Sequence, residues 1–78
     1  MDIKELVTMM AKALVDEPDS VDVREVEGDR SIVVELRVAP KCLGTIIGKQ
    51  GRNVQALRTI VNAAAARNNK RVMLDVIE

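Results

Sequence analysis

The chain has 78 residues and a mass of 8.6 kDa, enough for one compact domain that buries about 60% of the surface its unfolded chain exposes. Apolar residues make up 47%, too many for a disordered chain, while histidine, phenylalanine, tyrosine and tryptophan are absent and cysteine occurs once, at Cys42. Those absences exclude Ser/His/Asp and Cys/His nucleophiles, a zinc site of the usual imidazoles and thiolates, and an internal disulfide, and the net charge of zero excludes a uniformly basic surface.

Ile3, Leu6, Val7, Met10, Ala13 and Leu14 recur at helical spacing and predict a first helix. Asp2 caps it, Glu5 completes a capping box, and Pro18 stops it after about residue 15. Val21, Val23 and Val26 form a short strand whose apolar phase slips by one before Val26, a slip that a bulge would absorb. Gly28-Asp29 separates it from Ile32, Val34, Leu36 and Val38, a clean alternation, so a hairpin is expected. Pro40 opens a short helix over about residues 40–47, at a position where its missing N–H costs nothing. Gly48-Lys49-Gln50-Gly51 interrupts it. A long helix follows from Arg52 to about Arg67, with Val54, Leu57, Val61 and Ala64 or Ala65 on one face and Asn68-Asn69 as its exit. Val72, Leu74 and Val76 close the chain as an alternating strand whose place in the sheet is not readable.

The order helix, strand, strand, helix, helix, strand describes an α+β domain: a three-stranded sheet with three helices packed on one face. One domain occupies residues 1–78. No apolar run approaches the roughly 20 residues a bilayer span requires, and the N-terminus lacks the basic-then-apolar profile of a secretory signal, so the cytoplasm is the expected compartment.

Charge is unevenly distributed along the chain. Residues 1–36 hold ten acids against four bases, and residues 37–78 hold eight bases against two acids. If that division persists in space, the basic half attracts a polyanion and the acidic half orients it; otherwise these are two ordinary solvated surfaces.

The segment with chemistry in its spacing is Ile46-Ile47-Gly48-Lys49-Gln50-Gly51-Arg52-Asn53-Val54. Glycine adopts the backbone angles of a tight interhelical turn and leaves no Cβ between the main chain and a ligand. The helix that begins behind Gly51 presents free N–H groups and a positive dipole end to phosphate oxygens, with Lys49 and Arg52 as cationic donors and Gln50 as an amide donor. Ile47 and Val54 are expected to shape the edge of a groove. Two glycines at a turn are also often only a turn, with Lys49 and Gln50 as solvated loop residues. A nucleotide-binding P-loop is excluded, because Gly44 and Gly48 enclose three residues rather than four and Gln50 follows Lys49. Cys42, near a helix N-terminus, is either a reactive thiolate or a packed thiol.

Residues Ile47 to Val54 resemble the Ile-Gly-x-x-Gly-x-x-Ile signature of the K-homology (KH) RNA-binding domain, with valine at the last position, and the element order is similar to its type II form. At this size the chain resembles the stand-alone bacterial KH proteins. The resemblance implies non-catalytic binding of about four nucleotides of single-stranded RNA, with phosphates toward Gly48–Gly51 and bases over aliphatic side chains. It also implies an RNA chaperone or post-transcriptional regulator, no cofactor, and a homodimer or a pairing with a KhpB/Jag-type RNA-binding protein, in a setting of cell shape and cell-wall biogenesis. The missing aromatics fit, because the competing small RNA-binding folds stack bases on aromatic rings. Ala56, Ile60 and Ala63 form a second apolar stripe on the long helix, either a dimer seam or a helix-favouring stretch with Ile60 buried on the sheet. The competing function is a KH-shaped dimerising adaptor between proteins, with little RNA affinity of its own.

Overall fold

The structure is a computed structural model and describes residues 2–77. Helix α1 spans Ile3–Leu14, strands β1 and β2 span Asp22–Glu27 and Ser31–Arg37, helices α2 and α3 span Pro40–Ile47 and Arg52–Ala66, and strand β3 spans Arg71–Ile77. Single 3₁₀ turns occupy Pro18–Ser20 and Lys49–Gly51.

Each boundary has a local cause. At the start of α1 the Glu5 N–H donates to Asp2 Oδ1 at 2.7 Å, one of the two bonds of the expected capping box. Pro18 does not merely end the helix; it opens the next 3₁₀ turn. Pro40 is the first residue of α2, where no helical N–H is required. Beyond α3, Asn69 adopts the left-handed conformation (φ 58°), the Lys70 N–H reaches the Ala65 carbonyl and the Asn69 N–H the Ala66 carbonyl. This is a Schellman closure built on asparagine.

The sheet order is β1-β2-β3, with β1 antiparallel and β3 parallel to β2. The last strand therefore lies at an edge beside β2, reached by a crossover through α2 and α3. The expected bulge in β1 does not form. Pairing runs one to one from Asp22↔Arg37 to Glu27↔Ile32, and Val26 is simply 68% exposed on the uncovered face. There it stands opposite Val33, which stands opposite Met73, so the break in apolar phase was a row of surface residues rather than a backbone irregularity.

Val23, Ile32, Val34, Leu36, Val72 and Leu74 supply the covered face of the sheet, and Ile3, Val7 and Ala11 of α1, Ile46 of α2, and Leu57, Val61 and Ala65 of α3 pack onto it. Leu36, Ile46, Val7, Val34 and Val61 are the largest fully buried side chains. Arg58 ties α3 to β3 by donating to the Leu74 carbonyl at 3.3 Å. No helix of the described residues is long and apolar enough to cross a membrane.

Candidate nucleic-acid interface

The segment between α2 and α3 is a turn that most side chains could not make. Gly48 has φ 76° and ψ 171°, a region essentially reserved for glycine, and Gly51 is left-handed at φ 75° and ψ 14°. Gln50 between them is also left-handed, at φ 58°. The turn is closed by the Gly48 N–H donating to the Gly44 carbonyl and the Gly51 N–H donating to the Gly48 carbonyl.

Asn53 determines the shape of this turn, and the sequence reading did not single it out. Its side-chain amide donates to the Thr45 carbonyl at 2.7 Å, which satisfies an orphan acceptor in the last turn of α2 from the first turn of α3. Its Cβ and Cγ fill the space beside Gly48, where an added Cβ would lie 2.7 Å from Asn53 Cγ. Glycine at position 48 is thus required twice, by angle and by space. The sequence signal was an asparagine two residues past the second glycine, which has meaning only once the helices are seen to meet.

Lys49, Gln50 and Arg52 are exposed around the turn, and Gly48 and Gly51 are half-buried. Among the described residues, no side chain caps α3, no acid stands in its first turn, and neither Lys49 nor Arg52 takes part in an ion pair. The turn is therefore an open, positively charged approach to bare main chain at a helix N-terminus. Ile47 is 38% exposed beside it, whereas Val54 is only 8% exposed. Val54, expected beside Ile47 at a groove edge, lies instead beneath the turn, 3.9 Å from where a Gly51 Cβ would be. It is buried yet stands outside the core cluster to which Ile46 and Leu57 belong.

The charge division of the sequence is partly cancelled in space. Lys41 pairs with Glu17 at 2.6 Å and Lys70 pairs with Glu27, each joining the basic half to the acidic half. The Glu17 carboxylate, through this hydrogen bond and its charge, holds the Lys41 ammonium above the ordinary lysine range. Cys42 is buried, with the Ser20 hydroxyl donating to its Sγ at 3.8 Å, so it is a packed thiol.

On the second stripe of α3, Ile60 is 46% exposed and not covered by the sheet, and Ala56 and Ala63 are exposed as well. Ala56 and Ile60 line an apolar groove of about 280 Å³ with Met10, Ala13 and Leu14 of α1, a contribution the sequence reading did not assign. Ala63 lies further along, beside a separate cleft with Leu6 and Arg67.

An α-β-β-α-α-β chain whose second and third helices meet at a Gly-Lys-Gln-Gly turn is a KH domain of type II. Its nearness to solved KH structures is one of fold: the chain superposes on Era in a complex with MgGDPNP and nucleotides 1506–1542 of 16S ribosomal RNA with a TM-score of 0.67 at 24% identity, covering 95% of this chain and 28% of that one. The family model described as KhpA/KhpB, KH domain, matches residues 4–76, and the chain belongs to that family. It is 56% identical over 73 residues to the RNA-binding protein KhpA of Caldanaerobacter subterraneus subsp. tengcongensis, covering 94% of this chain and 97% of the relative. It is 50% identical over 76 residues to that of Aquifex aeolicus, covering 97% and 96%.

Proposed function

We propose that this protein binds single-stranded RNA without catalysis, seating the sugar-phosphate backbone on the Gly48–Gly51 turn. The observation that carries this reading is the open turn itself: left-handed backbone without Cβ atoms at two of its four positions, an uncapped helix N-terminus behind it, and Lys49, Gln50 and Arg52 exposed around it. Lys49 and Arg52 meet phosphate charge, Gln50 donates to phosphate or sugar oxygens, and Ile47 offers an aliphatic face to a base. The names of its relatives, RNA-binding protein KhpA, support the same ligand class.

Replacing Lys49 and Gln50 together with aspartate tests it. Both side chains are exposed, so the fold persists while negative charge stands where phosphate would sit. Titration with a short labelled single-stranded RNA should show binding by the native protein and a loss of more than tenfold in the variant. Binding that is absent, or indifferent to the change, favours the adaptor role.

A single small site of this kind binds weakly, and a second copy supplies a second turn. The partner surface we assign is Ala56, Ile60 and Ala63 of α3, with the groove that Ala56 and Ile60 share with Met10, Ala13 and Leu14, because it leaves a branched apolar side chain in water beside small residues that permit close helix approach. The Ile60→Glu variant should sediment at half the mass of the native protein; equal monomer masses for both end the assignment. A KhpB/Jag-type protein presenting a like helix would compete for the same face. The setting we assign is the cytoplasm, in chaperoning or regulating RNA.

A further inference from the structure

We propose that Glu17 is an internal competitor for RNA: it holds Lys41 at a cleft on the helix that leads into the glycine turn, and a phosphate entering that cleft takes the place of the carboxylate. This rests on the RNA-binding reading above and adds a second contact point with a built-in rival.

Three observations carry it. The cleft, about 180 Å³, has Lys41, Cys42 and Thr45 of α2 on one wall and Asp16 and Glu17, which precede the Pro18–Ser20 turn, on the other. Lys41 and Thr45 are four residues apart and share one helix face. The Thr45 carbonyl is the atom that Asn53 holds at the glycine turn, so Thr45 belongs both to the cleft and to the junction of α2 with α3. A strand leaving the turn along this face meets the Lys41 ammonium as its next cation, about two helical turns away.

The ammonium is already engaged. Glu17 sits 2.6 Å from it, while the loop cations Lys49 and Arg52 have no ion-pair partner among the described residues. Both members of the pair are well exposed, 70% for the lysine side chain and 47% for the glutamate. Exposed pairs of this kind are weak enough for a phosphate to displace. Asp16 beside it adds a second negative charge that a strand must tolerate. The wall thus attenuates nonspecific attraction of polyanions at the cleft, while the turn stays open to them.

The test is a double-substitution cycle read by fluorescence anisotropy with a short labelled single-stranded RNA over a range of salt concentrations. Glu17→Gln keeps the side-chain shape and frees Lys41. It should tighten binding about three- to fivefold at low salt, because a phosphate then meets Lys41 without displacing a carboxylate. Lys41→Gln in the native background should change affinity less than twofold, because the phosphate contact it loses is offset by the carboxylate contact that no longer has to break. Lys41→Gln combined with Glu17→Gln should remove most of the gain. Native-like affinity for Glu17→Gln overturns the proposal, as does a gain that persists without Lys41, which would be general charge repulsion. Loss of binding in Lys49→Asp/Gln50→Asp with no response to Glu17→Gln sinks only the competitor; no RNA binding by any variant sinks both it and the function it rests on. In the native protein, the Lys41 and Glu17 NMR signals should shift with RNA at concentrations that move the Gly48–Gly51 amides; signals that stay fixed at saturation count against the proposal.

Discussion

At the scale of single residues, the two glycines of the turn are not equivalent. Gly48 lies in a region that costs other residues about 1–3 kcal/mol, and a Cβ there would also collide with Asn53. Gly51 is in the ordinary left-handed region, costing an alanine about 1–2 kcal/mol, with only a 3.9 Å contact to Val54. Gly48→Ala should therefore destabilise the protein more than Gly51→Ala, measured as denaturant midpoints. Equal midpoints would mean that Asn53 moves aside at no cost. Gln50 holds a left-handed conformation without being glycine, so Gln50→Gly should raise stability by about 1 kcal/mol while removing the side chain we place on the RNA. A gain in stability accompanied by a loss of affinity would separate the residue's structural cost from its use.

Between elements, the α2–α3 junction depends on one side chain. The Asn53 bond to Thr45 O closes the end of one helix from the start of the next, and losing it should cost about 1 kcal/mol, the usual net worth of such a bond. Asn53→Ala and Asn53→Asp should both lower the denaturant midpoint and speed amide exchange over residues 44–52; unchanged exchange would mean that the glycines hold the turn by themselves. This is also where sequence reading reached its limit. Helix α2 was legible because Pro40 and Gly48 punctuate it, and the turn was legible because glycine spacing reports backbone angles. Asn53 and the Glu17–Lys41 pair were not, because each joins residues whose proximity arises only on folding. Val26 misled for a related reason: an apolar residue on the uncovered face breaks alternation without bending the strand. Val54 matched the motif yet is buried, because a motif specifies residue type but not which way the side chain points. The position of β3 was unreadable, since an alternating strand pairs equally well at either edge.

For the whole molecule, the consequence of these placements is electrostatic. A neutral protein with two of its cations tied to carboxylates across the fold has little long-range pull on RNA, so the binding we propose depends on the few charges left free at the turn. With Lys49 and Arg52 as phosphate partners, one turn gives a log–log salt slope of about −1.4, from roughly −0.7 per contact on a single strand. If two copies meet through α3, an RNA long enough to reach both turns should give about twice that slope, and an affinity above that of a short RNA by far more than a doubling of sites, because the second contact is intramolecular. On that assembly Ile60→Glu, at an exposed position of α3 away from the turn, leaves each turn intact and removes the second copy. It should bind short RNA as the native protein does and lose both the steeper slope and the added affinity on long RNA. Salt titrations of the two proteins on the two lengths settle it: parallel lines for both lengths would mean that each copy acts alone, whatever its state of assembly.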